Sequence, residues 1–203
     1  MPIPTTPKNL PSVKRYLFQA YNDLNSIEQN IFGLGWSEEV SILEKAVILL
    51  EDRRYYTHRG IDIRSIIREF VKAITFRKHG GASTIEMQFV RTCTGYKEIS
   101  LRRKIYEMFL AWALVHRANK FEILRSYLGV AYFGTGLQGS HAASIAIFSK
   151  EPSELTEREC FELASMLVYP KPREVNESWQ QKIERRATYG QKLFTKVGAR
   201  YLK

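Results

Sequence analysis

The sequence AVILLEDRRYYTHRG, residues 46–60, passes from an apolar helical segment into a cluster of charged residues. Three further polar clusters follow within apolar helical sequence: GASTIEMQFVR at residues 81–91, RKIYE at residues 103–107 and KFEILRSYL at residues 120–128. The clusters combine a carboxylate at the end of a buried helix, a Gly-Ser-Thr turn, and a cation pair one turn before a second carboxylate. Because free amides at such a turn and paired cations both bind anions, the combination indicates chemistry on a phosphate-bearing substrate.

The composition predicts one globular domain with an anionic partner. With 203 residues, the chain is long enough to bury a core. The 31 Lys and Arg against 21 Asp and Glu give a net charge of +10. This charge favours a nucleic acid, a phosphorylated ligand or an anionic membrane over a basic surface that is merely solvated. Aromatic residues do not alternate with the basic ones as nucleic-acid stacking platforms require, so we expect no nucleic-acid partner.

The two cysteines, the N-terminal residues and the lengths of the apolar runs argue against several other classes of protein. Cys93 and Cys160 lack the number and spacing of a disulfide framework or a metal site, and their apolar contexts predict small core residues. Residues 1–10 are Pro-rich and predict a disordered lead, without the charged head and apolar core of a signal peptide. No apolar run is long enough to cross a bilayer.

Helical periodicity and capping residues predict a mainly α fold without convincing strand alternation. The predicted helices are Pro11–Gln29, one capped by Ser37 and ending at Glu51, Asp62–Phe76, one capped by Ser83 or Thr84, one capped by Ser100, Lys120–Leu128, one around residues 142–148, one opened by a capping box at Thr156, and about Ser178–Val197.

Two of these helices carry patterns with more than one interpretation. In the helix after Ser100, the predicted apolar stripe is Leu101, Ile105, Met108, Trp112 and Val115. Arg103, Lys104 and Glu107 would then share the opposite face, which is also the ordinary pattern of a solvent-exposed set of ion pairs. The helix from residue 62 to 76 has an apolar face beside a basic one, which fits either a core helix or a helix lying on a membrane surface.

In their order and spacing, the four clusters resemble those of the peptidoglycan glycosyltransferases of family 51. This family comprises the glycosyltransferase domain of class A penicillin-binding proteins and the monofunctional transglycosylases. The family patterns E-D-x-x-F-x-x-H-x-G, G-[GA]-S-T-I-x-x-Q, R-K-x-x-E and K-x-x-I-L-x-x-Y-L are matched at residues 51–60, 81–88, 103–107 and 120–128. The likeness covers about residues 38–190. The departures are Tyr55 for Phe, Glu86 for Thr, Met87 for Gln, Arg91 for Lys, Ile99 for Arg and Gly129 for Asn.

The resemblance implies a lysozyme-like, mainly helical single domain with a substrate groove, over residues 11–203. It implies a reaction that joins lipid-linked disaccharide units (lipid II) into glycan strands, releasing undecaprenyl diphosphate with inversion at the anomeric carbon. An inverting transfer needs a base for the acceptor hydroxyl and stabilisation of the departing diphosphate. No cofactor or protein-bound metal is expected to be obligatory, but a divalent cation could lie near the diphosphate.

The resemblance also implies roles for individual residues. Glu51 would be the base, and Glu107 would lie near the leaving group, directly or through a bound cation. We therefore expect these two carboxylates to converge across a groove with a positively charged floor. The implied substrate-binding residues are Arg91, Arg103 and Lys104 for the diphosphate and Ser83, Thr84 and Gln88 for sugar or phosphate oxygens. The residues expected to give structural support are Asp52, His58 and Gly60.

The partners implied are the lipid-linked disaccharide, the growing glycan chain, a membrane surface and other cell-wall synthesis proteins. The implied location is the extracytoplasmic face of the bacterial cytoplasmic membrane. Two alternatives remain open: a non-catalytic family member that binds the lipid-linked precursor, and a lytic glycosidase on a related scaffold. A hydrolase would have no need of the Arg103–Lys104 cluster.

Overall fold

The computed structural model describes residues 12–31, 39–75, 81–96 and 98–197, so the predicted disordered lead lies outside it. The described chain is mainly helical, as predicted. Its helices are α1 (Ser12–Glu28), α2 (Ile42–Glu51), α3 (Ile63–Ile74), α4 (Ile85–Thr94), α5 (Leu101–Leu114), α6 (Lys120–Val130), α7 (Ser140–Phe148), α8 (Glu157–Ser165) and α9 (Glu177–Val197). A short 3₁₀ turn, Tyr55–Thr57, follows α2.

One small β-sheet was not predicted. Strands β1 (Tyr132–Gly134) and β2 (Leu137–Gln138) pair antiparallel, and Gly134 also bridges to Lys171. Elements of three and two residues are too short to show the alternation from which strands are recognised in a sequence.

The start of α2 corrects the predicted cap. Ser41, and not Ser37, caps this helix, and Ser37 itself lies outside the described residues. The Ser41 hydroxyl accepts from the Glu44 amide at 3.2 Å, and the Glu44 carboxylate accepts from the Ser41 amide at 2.7 Å. A serine followed three residues later by Glu closes this reciprocal capping box, which stabilises the helix start. The predicted caps Thr84, Ser100 and Thr156 are confirmed.

Helix α2 lies in the centre of the fold, packed against α8 and α9. Its residues Ala46 to Leu49 are all buried, as the apolar run predicts. The α8–α9 contact is close because α9 carries Gly190 there: a Cβ atom at this position would lie 2.4 Å from Cδ1 of Phe161. This packing brings α9 alongside the C-terminal end of α2, where Glu51 is located.

The phase of α5 differs from the prediction. Leu101, Ile105 and Trp112, predicted to face the core, are 75%, 57% and 48% exposed. The buried face contains Tyr106, Glu107, Leu110, Ala111 and Leu114. Since α5 has apolar residues on two sides, periodicity alone could not choose between them. The buried side carries the Glu107 carboxylate, which pairs with Arg91 and Arg103 inside the fold.

Candidate active site

A cavity of about 620 Å³ lies at the C-terminal end of α2. Its walls come from Glu51 and the residues after it, from the polar face of α3, from the loop at residues 81–84, and from Arg186 and Tyr189 of α9. The lining carries both acidic and basic side chains, including Asp62, Glu69, Arg68 and Lys72. Such a lining suits a polar, anionic or sugar-like ligand better than an apolar one.

Both carboxylate oxygens of Glu51 are hydrogen-bonded. Nη2 of Arg186 donates to Oε1 at 2.7 Å, and Nε2 of Gln88 donates to Oε2 at 3.2 Å. The hydroxyl of Tyr127 donates to Oε1 of Gln88 at 2.7 Å, which fixes the orientation of the amide. Burial, followed by the charge of Glu51, raises the pKa of Tyr127 far above its usual value, so this hydroxyl is a permanent donor. The network holds Glu51 in one orientation at the cavity wall.

Asp52 and His58 join the loop after α2 to the start of α4. Both oxygens of the buried Asp52 carboxylate lie within hydrogen-bonding distance of Nε2 of His58, at 2.9 and 3.1 Å. Oδ2 of Asp52 also accepts from the Ile85 amide at 3.2 Å. Asp52 therefore satisfies a backbone donor in the first turn of α4 and connects that helix to the helix that carries Glu51.

Gly60 and Thr84 make the second connection. Gly60 adopts φ +80°, and a Cβ atom there would lie 2.3 Å from the carbonyl oxygen of Ala111. Only glycine fits this close approach to α5. The Thr84 hydroxyl donates to the Gly60 carbonyl at 2.7 Å and accepts from the Met87 amide at 3.3 Å.

These contacts bear on the three residues predicted to bind sugar or phosphate oxygens. Ser83, Thr84 and Gln88 all line the cavity. However, the Thr84 hydroxyl and both polar atoms of the Gln88 amide are engaged within the protein. In this structure Thr84 holds the loop and Gln88 holds Glu51. Among the residues that the structure describes, the Ser83 hydroxyl has no hydrogen-bond partner, so it can contact a ligand.

The second carboxylate, Glu107, lies in a separate cluster. Its side chain is fully buried, and Arg91 of α4 donates to both of its oxygens at 3.1 and 3.0 Å. Arg103 lies one turn earlier on α5, with its Nε 3.4 Å from Glu107. Lys104, beside them, makes no ion pair within the described part of the chain. Two guanidinium groups offset the cost of burying the carboxylate.

The expected convergence of Glu51 and Glu107 across one groove stays a prediction, and the structure places the two carboxylates in two hydrogen-bonded clusters. Glu107, Arg91, Arg103 and Lys104 are absent from the described lining of the Glu51 cavity. The two clusters are instead joined by α4, which presents Gln88 to Glu51 and Arg91 to Glu107. Residues three apart lie on the same face of a helix, so α4 connects both clusters rigidly.

One further group has the composition of a metal site. Asp52, His58 and Glu86 place one ligand-type atom each within 4.8 Å of one another, and all three are buried. Lys120 already pairs with Glu86, while His58 and the Ile85 amide bond Asp52. The two carboxylates thus have cationic or N–H partners from the protein, and we assign no metal to this cluster.

Sequence patterns did not identify Arg186 as part of the site. It lies 135 residues after Glu51, which no short motif can span. The signal available was a cation at the edge of the apolar face of α9, beside the buried Ile183 and Ala187. A partly buried cation in such a position is stabilised by an anionic or carbonyl partner from another element.

The fold and site define a mainly helical domain with a glutamate that is hydrogen-bonded on both oxygens at the wall of a polar cavity. The family model described as Transglycosylase matches residues 23–193 of the chain. The chain belongs to this family, which confirms the family predicted from the four clusters, and its helical fold agrees with a lysozyme-like domain.

Three relatives illustrate the similarity. Penicillin-binding protein 1A of Clostridium perfringens is 38% identical over 140 residues, which cover 66% of this chain and 21% of that protein. Penicillin-binding protein 2a of Streptococcus pneumoniae is 34% identical over 160 residues, 79% of this chain and 21% of that protein. Penicillin-binding protein 1A of Rickettsia prowazekii is 36% identical over 134 residues, 64% of this chain and 17% of that protein. The aligned part thus spans about a fifth of these relatives.

Proposed function

We propose that the chain is a peptidoglycan glycosyltransferase that polymerises lipid-linked disaccharide into glycan strands and releases undecaprenyl diphosphate. The observation that carries the proposal is the Glu51 carboxylate, held on both oxygens at the wall of a polar cavity. Family membership supplies the reaction type. A hydrogen-bonded, oriented carboxylate is the arrangement that a general base requires.

In the proposed reaction, Glu51 takes the proton from the 4-hydroxyl of the acceptor sugar. The acceptor oxygen then attacks the anomeric carbon of the donor from the face opposite the diphosphate. The bond from this carbon to the diphosphate oxygen breaks, the diphosphate leaves with the electron pair, and the configuration inverts. Lys104, with Arg91 and Arg103, would stabilise the departing charge, and a divalent cation could assist there.

The role proposed for Glu107 follows from its burial. Because the Glu107 side chain has no exposed surface, we propose that it acts on the leaving group through its neighbours. It holds Arg91 and Arg103 in position, so that the guanidinium groups and the neighbouring Lys104 ammonium are arranged before the diphosphate arrives. Pre-arranged charge is more effective than charge that must reorganise during the reaction.

A membrane surface as partner is supported by α3. Ile63, Ile67 and Val71 lie on one face of this helix and are 66%, 57% and 52% exposed, whereas Arg68 and Lys72 lie on the side that lines the cavity. The apolar face is therefore turned outward, as in helices that lie in a membrane interface. None of the described helices combines the length and apolarity needed to cross a bilayer. We propose that α3 brings the cavity to the extracytoplasmic membrane face, where lipid-linked substrate and other cell-wall synthesis proteins are found.

Replacing Ile67 with Glu is expected to weaken binding to vesicles containing phosphatidylglycerol by about tenfold or more. The reason is that the change removes an isoleucine from the apolar face and adds a charge there. Vesicle co-sedimentation measures the effect. Val175→Glu is the matched control, because Val175 is 43% exposed on a loop and the charge change is the same. Equal losses in both variants would mean that net charge, and not the α3 face, determines binding.

The proposed activity is tested by incubating the protein with lipid-linked disaccharide and separating the products by gel electrophoresis. Glycan polymer is expected, and a smaller yield in EDTA would support the divalent cation. One observation favours a non-catalytic alternative: Ile99, which departs from the Arg of the family pattern, is 96% exposed and offers no cation. Tight binding of the lipid-linked disaccharide without polymer would decide for that alternative. Release of sugars from lipid-free cell wall would instead indicate a lytic glycosidase.

A further inference from the structure

Arg186 is fixed at the end of α2 by a main-chain contact. Its Nη2 donates to the Leu50 carbonyl at 2.9 Å and to Oε1 of Glu51 at 2.7 Å. The last carbonyls of a helix have no partner within the helix, so Arg186 satisfies one of them and places a cation at the negative end of the helix dipole. A side chain anchored to the backbone in this way can hold a neighbouring carboxylate in a defined position.

The two carboxylate oxygens of Glu51 have different hydrogen-bond partners. Oε1 accepts from a guanidinium group at 2.7 Å, whereas the partner of Oε2 among the described residues is the neutral amide of Gln88 at 3.2 Å. A cation stabilises the negative charge on the oxygen it contacts and makes that oxygen the poorer proton acceptor. Each carboxylate oxygen can accept more than one hydrogen bond, so Oε2 keeps a free acceptor site.

We infer that Arg186 is a positioning residue for the transfer reaction: it holds Glu51 through Oε1 and leaves Oε2 to take the proton of the acceptor hydroxyl. This inference rests on the proposed function. Arg186 does not exchange a proton itself and acts only through the carboxylate that it orients. Gln88, oriented by Tyr127, limits rotation of the same carboxylate from the other side.

The chain offers a matched control for Arg186 in the neighbouring residue. Arg185 is exposed, and its partner within the described part of the chain is the side chain of Gln181, 3.5 Å from Nη2. Arg186→Ala and Arg185→Ala therefore remove the same group from adjacent positions of α9. We expect Arg186→Ala to lower kcat for polymerisation by about 100-fold, with KM changed by less than about threefold, because the base is displaced while substrate contacts remain. Arg185→Ala is expected to leave kcat within about twofold of wild type.

Two rescue experiments separate positioning from a general effect on folding. Arg186→Lys keeps a cation but has a different donor geometry, so it should recover part of the lost rate. Guanidinium ion at low, non-denaturing concentration should raise kcat of Arg186→Ala about fivefold or more and leave Arg185→Ala unchanged. A variant that is merely unfolded would respond to neither, and thermal unfolding identifies it.

The outcomes distinguish this inference from the proposed function. Wild-type protein that makes no polymer would overturn both. Wild-type polymer with an unchanged kcat in Arg186→Ala would overturn the role of Arg186 alone. A loss in Arg186→Ala that neither Lys nor guanidinium recovers would also count against positioning. In the Glu51→Gln background, Arg186→Ala should cause no further loss, since both changes remove the same oriented base.

Discussion

Replacing Glu51 with Gln is expected to reduce the rate of glycan polymerisation by about 10²–10⁴-fold, the usual contribution of a general base. Glutamine has nearly the same shape, and its carbonyl oxygen can still accept from Arg186, but it cannot take a proton at neutral pH. The side chain fills the same place above the cavity, so substrate binding should persist. Polymer yield from lipid-linked disaccharide, measured over time at saturating substrate, gives the ratio of the two rates.

The matched control is Glu184→Gln, which makes the same chemical change at an exposed position of α9. Its polymerisation rate should equal that of wild type. Thermal unfolding of both variants establishes that any loss of rate comes from folded protein. A Glu51→Gln protein that polymerises as fast as Glu184→Gln would exclude Glu51 as the base, and the proposed mechanism would then have no proton acceptor.

Short-range patterns predicted the parts of the site that depend on neighbouring residues. The motif at residues 51–60 brought Glu51, Asp52 and His58 together because all three lie within ten residues of one helix end. Thr84 was predicted as a cap because the geometry of a helix start is local. The cap follows from local sequence, whereas the roles of Glu51, Asp52 and His58 were predicted from the family resemblance of the motif that contains them.

Features that depend on tertiary packing could not be predicted in this way. The phase of α5 was assigned wrongly, because burial of Glu107 becomes favourable only when Arg91 arrives from α4. The Ser37 cap was wrong because Ser41 satisfies the same local rule and closes a capping box. Arg186 reaches Glu51 only after α9 packs along α2, a contact that no local pattern encodes.

Replacing Lys120 with Met is expected to lower the free energy of unfolding at neutral pH by about 3–5 kcal/mol, the usual cost of leaving a buried charge unpaired. Lys120 pairs with the fully buried Glu86, and its Nζ lies 4.3 Å from the centre of the Tyr55 ring. For a chain of this size, such a loss corresponds to a fall of about 6–20 °C in Tm. Lys150→Met is the matched control, because it breaks a more exposed pair with Glu159 and should lower Tm far less than Lys120→Met does.

The pH dependence of this loss identifies its origin. Burial raises the pKa of Glu86 in the folded protein, and Lys120 is the largest opposing influence, so its removal raises that pKa further. Below the pKa that Glu86 has in the unfolded protein, its carboxyl is neutral in both states and Lys120→Met loses no stability. The loss of stability grows as pH rises through the pKa of Glu86 in the folded protein. The Tm deficit of Lys120→Met should therefore shrink on acidification.

The double variant Glu86→Gln/Lys120→Met should recover most of the lost stability at neutral pH. The double variant retains the other titratable groups around Glu86, namely His58, Asp52 and Tyr55, so any pH effect of theirs appears in both Lys120→Met and the double variant. A Tm deficit of Lys120→Met that is independent of pH, or that persists in the double variant, would mean that Lys120 stabilises the fold by packing. The charge of Lys120 would then make no contribution to stabilising the buried Glu86.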